Sequence, residues 1–285
     1  MDTKPIERRS NAAFARTLCA LVALAAGIVG MLMLVAPDST DRYFSWALAP
    51  APLAAFVGAC YVASAGVFGW AAARENGPGL HGLCVAVFGL TVPTLIATIH
   101  HRSVFDFGRW QAVLWLGLFI ASPVLFGLTL VLARRSPRPV GPGLRPWARI
   151  LLGVMSAGYA ALAVVALSAP STVAEHGPIT SGPMGIRFAG AWAAFLALLA
   201  AHAAVRSRAA ESRTPLLGLV AWPLAILAAA LLHYDELRSD ARLGYIAALA
   251  VLAALAGGAL IAGRTSSAVA PVPRPRAGAL GASAP

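Results

Sequence analysis

Hydrophobic and polar positions along this chain alternate in long blocks, not at a short period. Eight apolar runs stand at about 17–36, 51–73, 79–99, 111–133, 150–169, 186–205, 215–233 and 243–263, and the charged residues fall between them or at their edges. A helix needs ~20 mostly apolar residues to cross the hydrocarbon core. The pattern therefore predicts an all-α fold, a polytopic transmembrane helix bundle with eight spans. An even number of spans returns the chain to the side on which it began. The first run is longer than a secretory-signal core and is read as a span.

Composition agrees. Of the 285 residues 59 % are hydrophobic and 12 % charged, against about 25 % charged in an ordinary soluble domain. Such a chain is neither a soluble enzyme nor a disordered protein. Cys19, Cys60 and Cys84 all fall in apolar runs, without metal-ligand spacing, and read as core residues.

Charge then orients the bundle. The net charge of +11 comes from 22 Lys and Arg against 11 Asp and Glu. With eight spans, 16 of the basic residues, from Lys4 to Arg276, share the side of the termini. The other side holds only Arg42, Arg102, Arg109, Arg187, Arg238 and Arg242, together with seven acids. The positive-inside rule puts both termini in the cytoplasm. A basic excess of this kind is a topological signal and needs no nucleic-acid partner. The preference for Arg over Lys, with abundant Ala and Gly, suggests a bacterial chain and hence the cytoplasmic (inner) membrane. No Asp, Glu, Lys or Arg is expected deep in a span, which argues against a proton pump, a voltage sensor or a lysine-linked chromophore.

A shift of 133 residues superposes Ala15-Arg16 on Ala148-Arg149, Leu34 on Leu167, Pro37 on Pro170, Pro50 on Pro183, His100 on His233 and Arg109 on Arg242. A one-residue slip brings Phe56, Gly58 and Arg74 onto Phe188, Gly190 and Arg206. These matches predict two parallel four-helix repeats, residues 1–135 and 148–264. A Pro- and Arg-rich cytoplasmic linker at 136–147 would join them, and a disordered cytoplasmic tail would follow at 265–285. In transporters built from repeats, the binding site lies at the repeat interface.

Candidate chemistry is sparse. Thr91, Thr94, Thr98 and His101 recur at helical spacing in the third span, beside Pro93, and form a polar face suited to a substrate path or to bonding their own helix. Tyr61 with Ser64, and Ser156 with Tyr159, place hydroxyls near mid-membrane and complete the candidate ligand or pathway residues. His100 and His233 end the third and seventh spans, and a two-fold could bring them together as metal or haem ligands. Tyr43, Phe44 and Trp46 read as an interfacial aromatic anchor. The mixed-charge segments 102–109 and 235–242 suggest salt bridges between the halves or a polar ligand. No Walker A, nucleophile-elbow or diphosphate motif is present, and no enzyme activity is read from the chain. The preferred expectation is a facilitator or membrane-embedded binding protein for a small or lipid-like molecule, with no cofactor. The alternatives are a non-catalytic subunit or scaffold packing against a membrane partner or a second copy, and a haem- or metal-bearing protein.

Overall fold

The computed structural model describes residues 4–74, 78–133, 143–206 and 208–267; most of the linker and of the tail lies outside them. The described chain is helical, with eight helices long and apolar enough to cross a membrane. These are α1 (Lys4–Val35), α3 (Ala51–Arg74), α4 (His81–His100), α5 (Trp110–Ala133), α6 (Pro146–Ser168), α8 (Pro183–Val205), α9 (Ala209–Leu232) and α10 (Arg242–Ser267). Two short helices, α2 (Thr40–Tyr43) and α7 (Pro170–His176), lie in the connections after α1 and α6. The helix starts follow local chemistry. Proline at the first helical position opens α6, α7 and α8, where a missing N–H costs nothing because that donor has no intrahelical partner.

Packing sorts the spans into a core and a rim. Helices α3 and α8 are buried along most of their length, while α1, α5, α6 and α10 leave most of their apolar residues on the outer surface. The exposed Leu, Ile and Val are what a bilayer solvates, since lipid is as apolar as they are. The main pairings are α1 on α3, α6 on α8, α4 on α5 and α9 on α10, with α4 also packed on α8 and α3 on α9. The last two pairs cross between the first four spans and the last four.

Small residues set the close approaches. A Cβ on Gly58 would stand 2.8 Å from the Met33 Cβ, and one on Gly190 would stand 2.8 Å from the Ala166 Cβ. Gly89 is as tight and meets backbone: its Cβ would stand 2.8 Å from the Ala194 oxygen on α8. At each of these sites a methyl group would push one helix off its neighbour.

Polar details recur at corresponding places. Arg16 Nε donates to the Ala72 carbonyl at 2.7 Å, and Arg149 Nε donates to the Ala204 carbonyl at 3.1 Å. Ala36 ends α1 at φ −134°, ψ 59°, and Ala169 ends α6 at φ −130°, ψ 63°. At the far end of α4 the cap is His101 (φ −106°, ψ 33°), and at the far end of α9 it is His233 (φ −110°, ψ 29°). The counterpart of His233 is thus His101, where the shift of 133 had paired it with His100. The reason is one residue of connection: α3 starts 15 residues after Ala36, but α8 starts 14 after Ala169. Beyond that point the matching shift is 132.

Two further expectations change. Phe44 and Trp46 are not exposed as an anchor in lipid would be; with Leu48 they are buried, because the connection from α1 to α3 folds onto the helices and packs against Trp115 and Phe188. Among the described residues, salt bridges join neighbours within one connection, and none is seen to join the halves. Arg238 pairs with Asp240 at 3.1 Å, and Arg242 approaches Asp235 at 4.0 Å, as these pairs are close in sequence and exposed. The three cysteines are buried and unbridged, as expected of core residues.

Candidate functional site

The site is built where α4 meets α8 on the side opposite the termini. Thr91, Thr94 and Thr98 are all buried in protein, so the polar stripe turns away from lipid. Thr91 donates to the Val87 carbonyl and Thr98 to the Thr94 carbonyl, both at 2.8 Å, which is the bonding within one helix that threonine uses in apolar surroundings. Thr98 also accepts a bond from Trp115 Nε1 of α5 at 3.1 Å. The Thr94 hydroxyl, fully buried between them, has no hydrogen-bond partner among the described residues.

Around the stripe stands an aromatic box that sequence reasoning missed. Trp115 packs against Trp46 with ring centroids 4.9 Å apart and against Phe188 at 5.3 Å; Phe44, Phe105 and Phe119 close the box. Residues from a connection, from α5 and from α8 converge here, so no local pattern could reveal it. Deeper in the seam Trp192 of α8 meets Tyr61 of α3 edge-on at 5.8 Å and lies 6.3 Å from Trp222 of α9. The indole N–H groups of Trp192 and Trp222 are buried and have no hydrogen-bond acceptor.

The other mid-membrane hydroxyls divide. Ser156 on α6 donates across to the Ala197 carbonyl on α8 at 2.9 Å, whereas Ser64 turns back to the Cys60 carbonyl on its own helix. Tyr159 is buried, and its hydroxyl makes no hydrogen bond.

Above the aromatic box lies a basic pair. Arg187 contacts His101 Nε2 through one terminal nitrogen, and its Nε donates to the Leu167 carbonyl at the end of α6 at 3.1 Å. His101 therefore serves as a neutral acceptor. Burial first, then the Arg187 cation and His100, hold its pKa below the ordinary histidine value. Arg187 occupies the second turn of α8, where the hydropathy pattern had placed it at the very start of the span. The Gly182-Pro183 pair was the missed signal, since proline favours the first helical position.

His100 and His233 lie in different surroundings. The His100 ring packs edge-on against His101, with centroids 4.8 Å apart. His233 Nδ1 is 2.7 Å from Glu236 Oε1, and its ring borders a cavity of about 10 Å³ with Phe56, Ile179, Ile226 and Tyr245. That volume holds about one water. Among the described residues no three His, Cys, Asp or Glu side chains come together as a metal set.

The end of the bundle nearer the termini holds a second polar cluster. His81 stacks on His202 at 5.1 Å, beneath a turn where Glu211, Ser212 and Thr214 are buried. The Ser212 hydroxyl donates to the Arg206 carbonyl at 2.9 Å. The span expected at 215–233 leaves Glu211 outside it, but α9 begins at Ala209, and Glu211 in its first turn is buried.

Compared with protein-family models, with curated proteins and with solved structures, the chain matches none. What can be said of function comes from the geometry.

Proposed function

We propose that this integral membrane protein is a binding protein or facilitator for a small or lipid-like molecule, with its site in the seam where α4 meets α8 and α3 meets α9. The observation that carries this reading is the set of three buried polar groups in that seam without partners among the described residues: the Thr94 hydroxyl and the indole N–H groups of Trp192 and Trp222. An unsatisfied polar group in hydrocarbon costs several kcal/mol. Valine and phenylalanine would fill the same space without that cost. A bound molecule with hydrogen-bond acceptors, or a short file of water, makes use of donors held there.

The test is to purify the full chain in lipid nanodiscs and analyse by native mass spectrometry what travels with it, for the wild type and for Thr94→Val with Trp222→Phe. A molecule retained by the wild type and lost from the double variant supports the reading. No bound molecule in either, with the variant more stable for losing two unpaired groups, refutes it. That second result is the one a scaffold gives, and the filled aromatic box is the feature that favours a scaffold.

The eight spans are read as two parallel four-helix repeats. Support comes from the recurring arginine-to-carbonyl bonds, the paired glycine contacts, the matched helix caps and the exchange of α4–α8 for α3–α9. We place both termini in the cytoplasm of a bacterial inner membrane, on the strength of the 16 basic residues on their side against six on the other. Reporter fusions at either end, or within 136–147, read out that side directly.

A further inference from the structure

We propose that Arg187, with His101 and His100, holds the head group of an anionic amphiphile, a carboxylate- or phosphate-headed lipid in the leaflet opposite the termini. The inference names the ligand class of the function proposed above and rests on its lipid-like branch.

It begins with an unneeded charge. Arg187 caps the Leu167 carbonyl at the end of α6. At the corresponding end of α1 the donor is a neutral group: the Tyr43 hydroxyl gives its one proton to the Ala36 carbonyl at 2.8 Å, with the Leu32 carbonyl also in reach at 3.2 Å. Capping therefore explains a donor at this place but not a cation. The position matching Arg187 at a shift of 132 is Ala55, so the first half has no such charge.

Nor is the cation paired with a carboxylate among the described residues. Its neighbours are a carbonyl and a histidine held neutral. Of the five N–H groups of a guanidinium, one goes to Leu167 and one to His101, leaving three without a partner among the described residues. A half-buried arginine at a membrane rim with three free donors matches the forked geometry of a carboxylate or phosphate.

The surface below suits an acyl chain. Val92, Ile96 and Ile99 are exposed on α4 at spacings of four and three, and this stripe leads up to the exposed His100. His100 packs on His101, and His101 contacts Arg187, so one continuous track runs from an apolar stripe to a cation. A free anion has no use for the stripe. An amphiphile uses both.

The test is photo-crosslinking of the full chain in nanodiscs of zwitterionic lipid. The probes are a diazirine-bearing fatty acid, a diazirine-bearing phosphatidic acid and the fatty alcohol of matching chain, each at a low mole fraction. Labelled residues are mapped by mass spectrometry. The expected result is saturable labelling within 92–100 by one or both anionic probes and none by the alcohol. Arg187→Gln keeps a donor for Leu167 and should weaken labelling about tenfold, as loss of a charge-assisted bond implies. Arg187→Lys should lose less; because it keeps the charge, it carries the test if the Gln variant does not fold. Equal labelling by acid and alcohol overturns the head-group assignment but leaves lipid binding standing. No saturable labelling by any probe overturns both. Labelling abolished by excess inorganic phosphate assigns Arg187 to a free anion and overturns the amphiphile.

Discussion

Gly89→Ala is the sharpest perturbation of the seam. A methyl group there would stand 2.8 Å from the Ala194 oxygen, 2.9 Å from the Ala194 carbonyl carbon and 2.9 Å from Leu198 Cδ1. The leucine can swing aside, but the α8 backbone cannot. Restoring an ordinary contact of 3.4 Å requires α4 and α8 to separate by about 0.6 Å. A gap of that size forfeits about a quarter to a half of the dispersion between the facing atoms. Overpacking of this kind costs about 1–3 kcal/mol, against a gain of about 1 kcal/mol for replacing a helical glycine with alanine. Gly66→Ala on α3, with nothing within 4 Å, takes only the gain and is the control. The two variants should differ by about 1–3 kcal/mol in SDS-titration unfolding of the protein in mixed micelles. Equal stability would refute the α4–α8 contact at Gly89, and with it the placement of the threonine stripe in that seam.

Thr98→Val removes the acceptor of the buried Trp115 indole and should cost about 1–3 kcal/mol, with a change in tryptophan fluorescence; an unchanged spectrum and stability would show that the bond is absent. Arg149→Gln and Arg16→Gln should each destabilise by about 1 kcal/mol, because they remove corresponding bonds to Ala204 and Ala72; unequal losses in the same unfolding assay would count against the repeat. The His101–Arg187 contact needs neutral imidazole. Because the folded state depresses the His101 pKa, its stabilisation is present above the ordinary histidine value near 6.5 and is lost as pH falls through the folded pKa. Unfolding measured from pH 7.5 down to about 4.5 should therefore show a loss that is smaller in His101→Gln than in the wild type; an equal loss in both would place the titration elsewhere.

The eight spans could be read from hydropathy because the cost of carrying a charge into hydrocarbon is large, and it falls on every residue alike. What faces what could not be read that way. Hydropathy gave Trp46 the same value wherever it pointed, so a buried packing residue looked like an interfacial anchor. Thr91, Thr94 and Thr98 were visible as one face because helical spacing alone decides that. Their partner Trp115 was invisible, since it arrives from another helix. Arg187 was misplaced by the same cost argument that found the spans: starting the span at about 186 kept the charge at its very edge. The Pro183 signal was outweighed, whereas in the structure the carbonyl at the end of α6 and a neutral histidine make the charge tolerable there. The slip from 133 to 132 lay in a connection, where one residue changes no apolar count.

The pairing of α4 with α8 also sets a timetable. The last residue of α8 is made 105 residues after the last residue of α4, a delay of roughly 5–20 s at ordinary rates of synthesis. Throughout that interval α5 can reach Thr98 through Trp115, but the face of α4 that packs on α8 must wait against lipid or the insertion machinery. Thr91 and Thr98 are equipped for the wait, because each hydroxyl is already bonded to a carbonyl of its own helix. The first four helices are accordingly an intermediate and not a finished unit. A ribosome that stalls before residue 205 leaves α4 inserted but without its mate, open to capture by any other helix with a small-residue face.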